Sequence, residues 1–270
     1  MPADRDPRAW WLDDDPFDKK DYTERRNNKT TQSSSNSFEQ NPFQDILNDY
    51  FGGRQRYNIP IHRGSIWHFS RIEIKHLTQA TMAFTLALGF MGRGIFGALN
   101  SPTVFIYWGI LYFISLTPAF LLHEIAHKIV ARRYGCWAEF RANPSGLRFG
   151  VILAAVLAIV FMAPGAVMVS GRTTRTQFGR IALAGPVTNV VLWSIGIIGA
   201  FLLGGLNDHL DQMLRTWLWG NSILAAFNML PFGPLDGKKI KTWSETVFYV
   251  WLSITLATVW ITLNYTSDIL

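Results

Sequence analysis

The chain has 270 residues, of which 49% are hydrophobic and 14% aromatic, and its mean hydropathy is positive. This composition is too apolar for an ordinary soluble domain and is typical of a protein that crosses a membrane several times. The net charge of +6 does not indicate nucleic-acid binding, because residues 1–76 carry twelve Lys or Arg against twelve Asp or Glu and the excess lies beside apolar segments.

Residues 1–60 are predicted to form a cytoplasmic tail. The first forty are polar and mixed in charge, without an apolar core segment or a cleavage site, which indicates disorder. Residues 42–51 place five apolar side chains on one face, so a short amphipathic helix is predicted there. Its two aspartates make an anionic membrane a poor partner, so this face is expected either to dock an unidentified protein or to pack loosely on its own chain.

Residues 61–270 are predicted to form a mainly α, membrane-embedded domain with about five transmembrane helices. The spans are residues 77–99, 103–130, 181–206, 216–235 and 246–264. If the amino terminus is cytoplasmic, eleven of the thirteen basic residues after position 76 lie on the cytoplasmic side, and only Arg93 and Arg215 face out. The distribution predicts a multi-pass protein of the cell membrane in this orientation.

An uncharged run at residues 149–171 is a further apolar segment. Basic residues flank both of its ends, so a full crossing would place one basic group outside. This favours a re-entrant element, with a helix over about 151–163, a break at Pro164-Gly165 and a returning β-strand at Ala166, Val167, Met168 and Val169. Residues 135–148 are predicted to form strands on the cytoplasmic side. Whether 149–171 spans or re-enters stays open at this point.

Two histidines four residues apart follow the uncharged stretch 101–122. His123 and His127 would lie above one another on a helix, so both imidazoles can bind one metal ion, and imidazole favours zinc. Glu124 between them is the usual general base of such a site. The pattern can arise by chance, but ionisable groups at the end of a membrane helix are costly to desolvate and are functional as a rule.

A catalytic zinc ion usually has three protein ligands, so a third is expected. Asp236 is the candidate, because it follows the fourth span at the depth of the histidines, and Pro231 with Gly233-Pro234 would unwind the helix before it. Asp236 could instead cap a helix at the interface. The single cysteine, Cys136, excludes an internal disulfide and a cysteine-based metal cluster.

Three motifs in order, HEIAH, AGPVTN (184–189) and NMLPFGPLDG (228–237), resemble the site-2 proteases, zinc metalloproteases that cut substrates inside the membrane. The resemblance covers about residues 113–241. It implies that one Zn²⁺ per chain is bound by His123, His127 and Asp236, and that Glu124 is the catalytic base. It also implies that Asn189 and Asn228 lie near the site and contact substrate, although both could serve helix packing instead.

The stretch PGAVMV (164–169) also resembles the family's membrane-embedded strand, which implies that Ala166, Val167, Met168 and Val169 bind an extended substrate. The expected partners are the lipid bilayer and single-span membrane proteins, cut within or near their transmembrane segment in regulated intramembrane proteolysis. The alternative is a catalytically silent relative that sequesters membrane partners. A metal transporter would need polar residues at several depths, whereas the predicted spans are almost purely apolar apart from this site.

Overall fold

The computed structural model describes residue 65, residues 67–160, residue 162 and residues 164–269, with side chains up to residue 264. The predictions for residues 1–60, a disordered tail and an amphipathic helix, lie outside the described residues. The described part is mainly helical and contains one two-stranded sheet. Its elements in order are α1 Arg71–Phe90, α2 Gly94–Asn100, α3 Pro102–Arg133, β1 Trp137–Ala142, α4 Pro144–Leu157, β2 Gly165–Ser170, α5 Arg175–Leu203, α6 Asp208–Asn228, α7 Asp236–Trp243 and α8 Glu245–Ile269.

Three helices are long and apolar enough to cross a membrane, namely α3, α5 and residues 245–264 of α8. They match the predicted second, third and fifth spans. The fourth predicted span, 216–235, corresponds to α6, which is not in this group because it begins at Asp208 in a polar stretch and ends at Asn228. The outward faces of α5 and α8 expose large apolar side chains, as expected for contact with lipid, including Ile195, Ile198, Phe201, Leu256, Trp260 and Leu263.

The segment of the predicted first span, 77–99, forms two helices, α1 and α2, instead of one continuous helix. Helix α1 already starts at Arg71, because the Ser70 hydroxyl caps it by accepting a hydrogen bond from the Glu73 amide at 3.1 Å. It ends at Phe90, and the chain bends by 79° before α2 because Gly92 adopts a left-handed conformation. The bent pair α1–α2 would supply a fourth span if it crosses as one unit.

The predicted returning strand is confirmed and slightly longer, as β2. It pairs antiparallel with β1, with Phe140 opposite Val167 and Glu139 opposite Met168. The helix predicted over 151–163 has different bounds: it begins seven residues earlier, at Pro144, where Asn143 caps it, and a left-handed residue, Ala158, ends it. Residues 149–171 therefore hold the rest of a 14-residue helix and a strand rather than one crossing helix.

Helix α3 lies at the centre of the bundle and packs against α1, α5, α6 and the sheet. Three buried apolar clusters surround its carboxyl-terminal half and the elements next to it. One joins Ala131 of α3 to both strands and to Ile181 of α5, and another joins Phe120 of α3 to α1 and β1. The third joins α5, α7 and α8 through Ala182, Ile240 and Phe248. These clusters fix the end of α3 that carries the two histidines.

Candidate metal centre

The structure brings the three predicted ligands together. His123 and His127 lie one turn apart on α3, Asp236 is the first residue of α7, and all three are buried. Their potential ligand atoms lie within 4.8 Å of one another. Asp236 Oδ2 is 3.4 Å from His123 Nε2 and 3.0 Å from His127 Nε2.

The break before Asp236 has the physical origin that the sequence indicated. Helix α6 ends at Asn228, and the proline- and glycine-containing segment 229–235 leads directly into α7. Gly237 packs so closely on the end of α6 that a Cβ atom there would overlap the Met229 carbonyl. The carboxylate is therefore held at the level of the histidines by a tight turn rather than by a continuous helix.

Hydrogen bonds fix the tautomer of both imidazoles. His123 Nδ1 lies 2.5 Å from Asn189 Oδ1, and His127 Nδ1 lies 2.7 Å from the Ile181 carbonyl oxygen. Both oxygens can only accept, so both Nδ1 atoms carry the proton. The lone pair of each Nε2 is then free on the side of Asp236, as a metal ligand requires.

This donor set fits zinc. Two nitrogen and one oxygen ligands at about 2.0–2.2 Å in a tetrahedral site are about 3.3 Å apart, close to the two separations given above. The second carboxylate oxygen, Asp236 Oδ1, accepts a hydrogen bond from Lys239 at 2.9 Å. This hydrogen bond orients the carboxylate, whose other oxygen faces the two histidines.

Glu124 lies between the histidines in sequence and next to β2 in space, since α3 packs on β2 and the Val167 backbone amide is near the Glu124 carboxylate. The Phe140 amide of β1 donates away from β2, to Glu73, so the pair Phe140–Val167 is not hydrogen-bonded across the sheet. The four predicted substrate residues therefore divide into two pairs. The backbone groups of Val167 and Val169 face the free edge of β2, whereas those of Ala166 and Met168 pair with β1.

The two predicted asparagines have different surroundings. Asn189 is fully buried, and its Nδ2 donates to the Ala119 carbonyl and to Asn221 Oδ1, both at 3.1 Å. Its amide thus supports His123 rather than facing an open cavity. Asn228 donates to the Leu224 carbonyl of its own helix, and within the described residues it makes no recorded hydrogen bond to the three ligands. Substrate contact by either residue stays a prediction.

Several residues at the centre were missed by the sequence analysis. Asn221 orients Asn189, Lys239 orients Asp236, and Gly185 packs directly on the histidines, where a Cβ atom would overlap both Nε2 atoms. Gly185 and Asn189 are four residues apart and share one face of α5. That spacing within AGPVTN was the available signal for a helix face that packs on the metal site.

The chain is similar to a protein of Methanocaldococcus jannaschii that is provisionally named a zinc metalloprotease. It is 35% identical over 190 residues, covering 69% of this chain and 92% of that protein. A protein of Bacillus subtilis with the same provisional name is 31% identical over 47% of this chain and 65% of that protein. A protein of Mycobacterium tuberculosis, also with this provisional name, is 32% identical over 58% of this chain and 36% of that protein. No family model and no solved structure gives a significant match.

Replacement of Gly185 by alanine tests the packing at the centre. The added methyl group would occupy the space beside both Nε2 atoms, so we expect zinc affinity to fall by about tenfold or more, since overpacking of this kind typically costs about 1–3 kcal/mol. Zinc content would be measured by elemental analysis after dialysis against a graded chelator. The control is Gly109→Ala, at a helical position with open space for a Cβ atom. Equal zinc retention by the two variants would contradict the packing.

Proposed function

Because the chain belongs to the site-2 protease family of zinc metalloproteases, we propose that it is a zinc-dependent endopeptidase that cuts single-span membrane proteins within or near their transmembrane segment. The observation that carries this proposal is the contact between Glu124 and Val167. Glu124, the candidate base, is next to the three candidate ligands and also lies beside the free edge of β2. A peptide bond brought to that edge would lie next to the base.

The residues have separate roles in the proposed reaction. His123, His127 and Asp236 hold one Zn²⁺ per chain, which when bound supplies Lewis-acid activation of a water molecule and of the scissile carbonyl. Glu124 takes a proton from the attacking water and gives it to the leaving amine. Asn189 and the Ile181 carbonyl keep both imidazoles in the tautomer that offers Nε2 to the metal.

The substrate is proposed to bind as an added strand. Val167, which is partly exposed at the free edge of β2, would pair its backbone groups with an extended peptide, and such pairing fixes the register of the scissile carbonyl. A peptide bond within an intact helix offers neither a free strand edge nor an accessible carbonyl. The substrate helix must therefore unwind locally before it is cut.

The membrane topology is part of the proposal. Helices α3, α5 and α8, the bent pair α1–α2 and α6 would form five spans, with α4 and β2 as a re-entrant element. The excess of basic residues after position 76 supports an orientation with the amino terminus and the metal site toward the cytoplasm. The division into a tail at 1–60 and a membrane domain at 61–270 stays a prediction, as does a protein partner for the tail.

Glu124→Gln tests the base. The amide cannot accept the proton of the attacking water, whereas all three ligands remain, so we expect unchanged zinc content and a loss of cleavage of about 100-fold or more. Cleavage of a model single-span protein by purified, zinc-loaded enzyme would be followed by gel and mass spectrometry. Retained activity would remove Glu124 as the base. No cleavage by the unaltered protein would favour the sequestering alternative.

Asp236→Ala tests the third ligand. Loss of the carboxylate leaves two imidazoles, so we expect zinc affinity to fall by about 100-fold or more together with cleavage. The control is Asp208→Ala, which removes an exposed carboxylate at the start of α6. If zinc affinity were unchanged while cleavage fell, Asp236 would have to be an orienting residue and not a ligand.

Proline substitution in β2 tests strand addition. Val167→Pro removes an amide on the free edge, so cleavage should fall by at least about tenfold while zinc content and thermal stability stay near those of the unaltered protein. Met168→Pro removes an amide that pairs with β1, so thermal stability should fall as well. Val167→Ala keeps the amide and should cleave normally. Equal tolerance of proline at both positions would exclude the strand-addition model.

A further inference from the structure

A second buried polar group lies on the other side of the sheet from β2. Glu73 of α1 and Lys128 of α3 form an ion pair between Glu73 Oε2 and Lys128 Nζ, and each residue is only 1% exposed. Lys128 follows His127 directly in sequence. Two desolvated charges are retained only where their geometry is good and their remaining hydrogen bonds are satisfied, so this pair needs a physical explanation.

The remaining oxygen of Glu73 connects the pair to the sheet. Glu73 Oε1 accepts a hydrogen bond from the Phe140 amide at 3.1 Å, on the outer edge of β1. One residue earlier in the strand, Glu139 Oε2 accepts a hydrogen bond from the Ser70 hydroxyl at 2.9 Å. The start of α1 is therefore attached to β1 at two consecutive strand residues, both close to the centre of the strand.

The two edges of the sheet consequently have different partners. The outer edge of β1 is occupied at Phe140 by the Glu73 carboxylate, whereas the free edge of β2 meets Glu124 at Val167. Helix α3 is connected to both edges, because Glu124 lies beside Val167 and Lys128 pairs with Glu73. Glu124 and Lys128 are four residues apart and share one face of this helix. That face is rotated by about 100° from the face that carries the two histidines.

We propose that Glu73 is a positioning residue, whose carboxylate sets the place of the substrate-accepting edge of β2 relative to Glu124; this inference rests on the proposed function. One carboxylate links a defined backbone amide of β1 to a defined residue of α3. An apolar side chain in its place would fill the same space, but it would not specify which strand amide faces α1. Because β2 is paired with β1, a displacement of β1 would move Val167 relative to the base.

Two double variants separate the hydrogen bond from the ion pair. Both replace Lys128 by methionine, so neither leaves a buried charge without its counter-charge. E73Q/K128M keeps an amide oxygen that can accept the bond from the Phe140 amide, whereas E73M/K128M has a side chain of similar length with only a weakly accepting sulfur. The two proteins differ at residue 73 alone, where glutamine also adds an NH2 donor group.

The first measurement is hydrogen exchange of the zinc-loaded variants in detergent, read on peptides that cover residues 137–142 and 165–170. We expect E73M/K128M to exchange at least about tenfold faster than the unaltered protein in both strands, and E73Q/K128M to exchange at the normal rate. This comparison uses no substrate. It therefore decides whether Glu73 positions the sheet even if the protein fails to cleave and the proposed function is wrong.

The second measurement is cleavage of a single-span model protein, with the cut bonds mapped by mass spectrometry. For E73M/K128M we expect KM to rise by about tenfold and cuts to spread over neighbouring bonds, while zinc content is unchanged and E73Q/K128M cuts the normal bond. A role in stability alone would lower the melting temperature without moving the cut site.

The inference would be overturned if the two double variants behaved alike, whether both were normal or both were impaired to the same extent. If E73M/K128M does not fold, Glu73→Asp in the otherwise unaltered protein replaces it. This variant keeps the charge but shortens the side chain by one methylene, so it should reach Lys128 or Phe140 but not both. Normal strand exchange and a normal cut site in Glu73→Asp would then reject the positioning role.

Discussion

The protonated Nδ1 atoms of His123 and His127 are the constraint on which the arrangement of the helices depends. Imidazoles in an apolar bundle are tolerated only where their polar atoms are satisfied, and here each Nδ1–H is bound by an oxygen of α5. The requirement fixes α5 against α3 at two points, which lie one turn apart on α3 and about two turns apart on α5. It also explains why α5 carries a glycine, Gly185, where it packs on the two imidazole rings. The same hydrogen bonds that satisfy buried nitrogens also leave the opposite nitrogens free to bind metal.

Two faces of helix α3 contact different parts of the structure. The face with His123 and His127 points to α5 and α7, which supply the supporting oxygens and the Asp236 carboxylate. The face with Glu124 and Lys128 points to the sheet and to α1. Because both faces belong to one helix, the helical repeat sets the positions of the two histidines, of Glu124 and of Lys128 relative to one another.

The sequence predicted local features well, because they depend on spacing along one element. The metal-facing pair on α3, the unwinding before Asp236 and the strand at 166–169 all follow from helical repeat, from proline and glycine, or from β-branched residues. Features that depend on distant partners were missed. The sequence analysis did not identify Glu73 and Lys128, which are buried and pair with each other across 55 positions of the chain. The sequence analysis also missed the bend at Gly92, because a hydropathy profile depends on side chains and contains no information on a left-handed backbone conformation within an apolar run.

The free edge of β2 is the remaining unusual feature of so apolar a chain. Backbone groups at membrane depth must find partners, and in helices they do so internally. The structure satisfies one edge of the two-stranded sheet with an acidic side chain from α1 and leaves the other beside Glu124. Under the proposed function, an extended peptide would pair with this second edge. Only a substrate segment that loses its own helical hydrogen bonds can adopt that extended form. Discrimination between substrates would then depend on how easily the transmembrane helix unwinds, and this depends on its glycine and proline content more than on any single side chain.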